Sequence, residues 1–170
     1  MKISAQEEYG LRCLLRLTQT PTAAQTLPEV AAAEGLSVPY VAKLMAVLRD
    51  AGLIESTRGR SGGYRLAKPP EEIGLGSLLL ELGDPLFEES DYCQRHAGIA
   101  ADGACVHHGD CSLKALWGML EQWMRGTLNQ ITLADLMEHE GRIAELLRAR
   151  LATTVFDDAQ PLIPLGVLNK

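Results

Sequence analysis

The chain has 170 residues, a formal net charge of −6, 46 % hydrophobic residues and four cysteines. That length suits one domain with an appended element, or two small ones, and the composition speaks for a packed core over wholesale disorder. The opening MKISAQEEYG holds two glutamates and leads into no signal-like apolar run, so no secretory signal is expected, and the leucine run LGSLLLEL is too short to cross a bilayer.

A cytoplasmic protein without membrane contact is therefore expected, its cysteines serving as ligands or redox groups rather than disulfides. The net charge hides a division. Residues 1–70 carry nine Lys/Arg against six Asp/Glu, a net +3, while the rest of the chain is −9. A basic N-terminal part on an acidic protein points to an anionic partner for that part.

In chain order, Ala5 to Thr20 has helical spacing, with Leu11, Leu14, Leu15 and Thr18 on one face and Pro21 as its stop. Thr26-Leu27-Pro28-Glu29 combines an N-cap, an early proline and a capping-box glutamate. Gly35 closes this short helix, and Ser37 can cap a third whose Val38, Val41, Leu44, Met45 and Leu48 share a stripe. Two helices about a short glycine-containing turn make a helix-turn-helix. Pro39, Tyr40, Ala42 and Lys43 lie off the apolar stripe near the start of the third helix, the end that would enter a major groove.

Leu53–Thr57 and Tyr64–Ala67 are compatible with two strands, joined by the glycine- and arginine-rich Arg58-Gly59-Arg60-Ser61-Gly62-Gly63. A hairpin directly after a helix-turn-helix is a wing. Its glycines allow backbone to approach phosphate, and Arg58 and Arg60 supply positive charge. The spacing then predicts a short helix over 76–82, broken at Asp84-Pro85, and a long one from Ser112 through Ile131 with Leu113, Leu116, Trp117, Leu120 and Trp123 on a wide apolar face. One helix-turn-helix offers too little surface to cover that face, so a homodimer is expected. Thr132-Leu133-Ala134-Asp135 looks like a further capping box, and a last helix is expected over about Arg142–Leu151.

The fold class is thus mainly α with a small β-hairpin, a winged helix-turn-helix domain plus a long dimerisation helix. The expected divisions are 1–68 for DNA binding, 69–111 for a connecting helix and cysteine loop, 112–151 for dimerisation and C-terminal helices, and 152–170 for a tail.

Cys93, Cys105 and Cys111 stand as C-x11-C-x5-C in a loop dotted with Gly98, Gly103 and Gly109 and with His96, His107 and His108. Little there could form an apolar core. Three thiols gathered this way suit a soft metal centre, iron–sulfur or zinc, or a thiol–disulfide switch. Cys13, among leucines, reads as a small buried side chain. No nucleophile–base pair and no phosphate-cradling nucleotide loop is recognisable, so an enzyme is not expected.

Three stretches carry a resemblance: Ser37-Val38-Pro39-Tyr40-Val41, Leu48-Arg49-Asp50-Ala51-Gly52-Leu53-Ile54 and Arg58-Gly59-Arg60-Ser61-Gly62-Gly63-Tyr64-Arg65-Leu66-Ala67. With Cys111-Ser112-Leu113-Lys114-Ala115-Leu116-Trp117 and Thr132-Leu133-Ala134-Asp135-Leu136, the chain over about 1–137 resembles the IscR/NsrR/CymR family of bacterial winged-helix regulators. The resemblance implies a homodimer on a double-stranded DNA operator, with Ser37, Pro39, Tyr40, Lys43, Arg58, Gly59 and Arg60 on the DNA-facing surface. Members with the three cysteines hold a [2Fe-2S] or [4Fe-4S] cluster that alters DNA affinity, so Cys93, Cys105 and Cys111 are its implied thiolates.

The loop from Cys93 to Cys105 is longer than is usual in the family. Where some members have a histidine ligand three residues after the third cysteine, this chain has Lys114. Other members use an acidic residue near the N-terminus of the partner subunit, a position that Glu8 matches, with His107, His108 and Glu7 as rivals. The leading expectation is a cluster-controlled regulator, with a repressor favoured. The alternatives are a cluster-free thiol regulator on the same scaffold, and a zinc-stabilised or electron-carrying protein with no DNA role.

Overall fold

The computed structural model describes residues 3–20, 23–59, 62–85, 87, 92–93, 95, 98, 105–107 and 110–157, with 150–157 described by their backbone alone. Among them are six α-helices and one two-stranded antiparallel sheet: α1 (Ala5–Thr18), α2 (Leu27–Glu34), α3 (Val38–Asp50), β1 (Ile54–Thr57), β2 (Gly63–Leu66), α4 (Leu75–Leu82), α5 (Ser112–Leu128) and α6 (Glu140–Asp157). Mainly α with a small hairpin is what the patterning predicts. Among the described residues no single helix is long and apolar enough to cross a membrane.

Local chemistry fixes the first three helices. Ser4 and Glu7 close a capping box on α1, the Ser4 Oγ accepting from the Glu7 N–H at 3.1 Å and the Glu7 carboxylate from the Ser4 N–H at 2.7 Å. Thr26 and Glu29 repeat it on α2. There the Thr26 backbone N–H, with its hydroxyl second, holds the Glu29 carboxyl below the ordinary carboxylate range. Gly35 ends α2 in the left-handed region at φ 66°, and Ser37 caps α3. The chain bends by 111° between α2 and α3, within the range of a helix-turn-helix.

The core lies between these helices and α4. Cys13, Leu14 and Leu17 of α1 meet Val30 and Ala31 of α2, Val41, Leu44, Met45 and Leu48 of α3, and Leu78 and Leu82 of α4, all 2 % exposed or less. Gly10 permits the α1–α4 approach, since a Cβ there would stand 2.6 Å from a Leu82 methyl. The Gln6 side-chain amide also donates to the Leu82 carbonyl at 2.6 Å.

The hairpin pairs Ile54 with Leu66, Glu55 with Arg65, Ser56 with Tyr64 and Thr57 with Gly63. A third segment joins it: Gln25 and Tyr64 exchange both backbone hydrogen bonds, at 2.9 and 2.8 Å. A second short pairing sets 73–75 against 131–133, with the Leu75 N–H on the Ile131 carbonyl and the Leu133 N–H on that of Ile73, both at 2.8 Å. Leu133 is thereby fully buried in the N-terminal core.

Element ends differ from the sequence reading. The first helix stops at Thr18, two residues early; β1 begins one residue late, and β2 lies one residue earlier than expected. α5 ends at Leu128, because Asn129 caps it and turns its Oδ1 to the Ser77 N–H at 3.0 Å, while Ile131 is taken into the short pairing. The Thr132–Asp135 box forms but leads into a single 3₁₀ turn over Asp135–Met137. The last helix starts earlier and runs further, over Glu140–Asp157.

Gly63 is the tightest point of the wing's attachment, since a Cβ there would stand 2.6 Å from the Gln25 carbonyl oxygen. Backbone cannot swing aside as a side chain can. Gly63→Ala is expected to cost about 1–3 kcal/mol in chemical denaturation, as overpacking does. A variant as stable as the wild type would show that this contact is loose in solution.

Candidate nucleic-acid interface and cysteine loop

The exposed start of α3 and the tip of the hairpin are the two basic features of the N-terminal part. Ser37 accepts from the Tyr40 N–H at 3.4 Å, so its hydroxyl is engaged at the helix start. Pro39 and Lys43 are exposed beside Val38, itself 41 % exposed. Tyr40 lies beside them, off the fully buried stripe of α3. It is half-buried, its ring edge-on to Tyr9 of α1 at 6.0 Å between centroids.

On the hairpin, Arg58 and Gly59 are exposed. Arg65 is neutralised across the strands by Glu55 at 2.5 Å, and Arg49 by Asp50 at 3.0 Å. Arg58 and Lys43 make no ion pair among the described residues. Arg60 lies outside the described residues. The glycines divide their work: Gly59 takes φ 114°, where an L side chain is strained, and the Gly62 N–H closes the turn on the Gly59 carbonyl at 3.0 Å. Gly62 and Gly63 answer internal crowding instead, against the Thr57 and Gln25 carbonyls. Gln25 has no motif to mark it and is missed by sequence reasoning; its only signal is a polar residue just before a helix cap.

Cys93, Cys105 and Cys111 are free thiols, and Cys93, with Tyr92 and Arg95, has helical backbone where the sequence reading expects a loop. Cys93 is exposed, while Cys105 and Cys111 are half-buried. Cys111 is the N-cap residue of α5, whose dipole favours negative charge at that end. Cys13 has no exposure, and burial, with Glu34 second, pushes its thiol up to about 11. It is an inert core side chain.

Glu8 is half-buried and accepts from the Arg12 Nε at 2.8 Å; Arg12 in turn lies over the Tyr9 ring, 5.5 Å from its centroid. Among the described residues no three of His, Cys, Asp and Glu gather to hold a metal. His107 is exposed, Glu7 is spent on its capping box, and His96 and His108 lie outside the described residues. As a donor set, three free thiols fit a thiophilic metal centre.

A winged helix-turn-helix with exposed cations at the start of α3 and on the hairpin is the architecture of a class of DNA-binding proteins. A profile of the Rrf2 family, described as iron-dependent transcriptional regulators, matches residues 3–139. The chain belongs to the Rrf2 family of transcriptional regulators. It is 35 % identical over 152 residues to the HTH-type transcriptional regulator NsrR of Geobacillus kaustophilus, covering 88 % of this chain and 99 % of that one. Its fold is similar to IscR of T. potens, with TM-score 0.60 at 32 % identity over 81 % of this chain and 86 % of that chain. It is also similar to CymR, the global cysteine regulator of B. subtilis, with TM-score 0.61 at 27 % identity over 81 % and 96 % of the two chains.

Proposed function

We propose that this regulator binds an operator as a homodimer, and that an iron–sulfur cluster on Cys93, Cys105 and Cys111 controls its affinity. The observation that carries the DNA reading is the pair of cations, Lys43 and Arg58, exposed and without an ion pair among the described residues, on the two elements that a winged helix turns to a duplex. Lys43 would face base edges and Arg58 phosphate, with Ser37, Pro39, Tyr40, Gly59 and Arg60 on the same surface.

α5 supports the dimer. Leu113, Leu116, Met119 and Trp123 are each at least 45 % exposed, and Trp117 and Leu120 over a third exposed. Six large apolar side chains on one helix make a patch that a soluble monomer rarely leaves open. A second copy of α5 would cover it.

The cluster reading rests on the donor set, the family's iron dependence and the resemblance of the cysteine pattern. Such a group would supply redox- or ligand-sensitive charge at the start of α5. This chain's residues would hold it through three soft thiolates, with Glu8 of the partner subunit as the fourth donor and His107 or His108 as rivals. A carboxylate there is a hard, weak ligand and leaves the site labile, as sensing requires. The cluster-free thiol reading keeps the same cysteines and the same DNA surface, and the likeness to CymR supports it.

A duplex selected by the wild-type protein from random-sequence DNA provides the test. Arg58→Ala should weaken binding and lower the slope of log affinity against log salt by about one unit for each phosphate no longer neutralised. Lys43→Ala should also change which sequence is preferred. Unchanged salt dependence in Arg58→Ala would remove the wing from the interface.

Leu120→Asp sets a charge in the proposed α5 contact, where it has no compensation. It should yield monomer or aggregate in light scattering at micromolar concentration. A variant that stays dimeric, or a wild type that is monomeric, would place the dimer contact elsewhere or abolish it.

A further inference from the structure

We infer that Gln25 is the positioning residue that sets the wing relative to the helix-turn-helix, so that operator affinity depends on a buried amide. This rests on the proposal that the wing meets DNA phosphate.

Gln25 is only 6 % exposed. A polar side chain in such a place is costly unless its hydrogen bonds are met, and here they are. Its Nε2 donates to the Arg16 carbonyl at 2.9 Å and to the Thr20 hydroxyl at 2.6 Å, and its Oε1 accepts from the Arg16 Nε at 3.2 Å. All three side-chain bonds go to the end of α1 and the turn that follows it. Both backbone bonds go the other way, to Tyr64 of β2.

One residue therefore fastens the wing to α1. The residue after it, Thr26, caps α2, so the same point also sets where the helix-turn-helix begins. Among the described residues no ion pair ties the tip of the wing to the helices. Its outward-facing pair, Glu55 and Arg65, bond each other across the hairpin, and Arg58 makes no ion pair among the described residues. Gly63 brings β2 hard against the Gln25 carbonyl, so a shift of Gln25 passes directly into β2. The hairpin extends the shift to its tip, where Arg58 sits. A stiff bridge holds Arg58 at one distance from the start of α3; a loose one lets it wander among positions, few of which match a phosphate.

Gln25→Met keeps the length and apolar body of the side chain and removes its hydrogen bonds. In the full-length protein, purified without air and titrated with the selected duplex, it should bind about tenfold more weakly and show the reduced salt slope of Arg58→Ala. The double variant Gln25→Met/Arg58→Ala should bind no more weakly than the weaker single variant. Residues acting through one contact are non-additive, whereas a general loss of stability would add to the loss at Arg58.

Thr20→Val deletes one acceptor of the Gln25 amide and leaves the glutamine in place. It carries the same cycle with Arg58→Ala if Gln25→Met does not fold, and should show a smaller effect of the same kind. Additive losses, or weaker binding at an unchanged salt slope, would overturn the role of Gln25. If Arg58→Ala itself leaves binding and salt slope unchanged, the wing reading falls and this inference with it. If Arg58→Ala behaves as expected and Gln25→Met binds like wild type, only Gln25 falls.

Discussion

The architecture depends on one helix being packed on several sides at once. α1 touches α2, α3, α4 and β2, and its Cys13, Leu14 and Leu17 are essentially without exposure. Burying each leucine of this kind is worth about 1.5–3 kcal/mol. The close approach needs Gly10, whose missing side chain is the space that Leu82 fills. One end of α1 carries Glu8, Arg12 and Tyr9, the last in contact with Tyr40 of α3. The other end holds Gln25, and through it the wing. In the proposed reading, the helix that would report on the cysteines is thus the one on which the wing and the proposed recognition helix rest.

The remainder of the molecule is organised around what this core cannot cover. The segment after α5 returns to the core through Ile131 and Leu133, but α5 itself keeps its apolar face outward. Charge follows the same division, a basic N-terminal part on an otherwise acidic chain. In the proposed reading, that balance would favour approach of an anionic duplex to the N-terminal part.

Much of the N-terminal fold was legible because it is written in local chemistry. Thr26 and Glu29, Gly35 and Ser37 lie within a few residues of the ends they define, and each does what its type suggests. The wing was legible as a hairpin, yet the reason for its paired glycines was not. Gly63 answers to Gln25, 38 positions earlier, and no periodicity reports a contact at that distance. Tyr40 shows the same limit, since its spacing put it off the apolar stripe but did not report that Tyr9, from another helix, meets its ring. Helix lengths failed where tertiary contacts intervened, as at Asn129, which is claimed by Ser77. In the candidate site, cysteine spacing indicated a soft-metal or redox loop. The i,i+4 pairing of Glu8 with Arg12, whose spacing is written in the sequence, adds a competitor for that carboxylate.

The central claim is that the thiols of the cysteine loop govern DNA affinity by holding an iron–sulfur cluster. Its most direct measurement is the affinity of anaerobically purified protein for the selected duplex, before and after a chelator removes iron, followed with the visible spectrum of the same sample. The account predicts visible absorption that the chelator abolishes, an affinity that changes by about tenfold or more with it, in the range of ordinary allosteric coupling, and neither effect once Cys93, Cys105 and Cys111 are alanine. A colourless wild-type protein, or one that binds the duplex equally well before and after iron is removed, would contradict it.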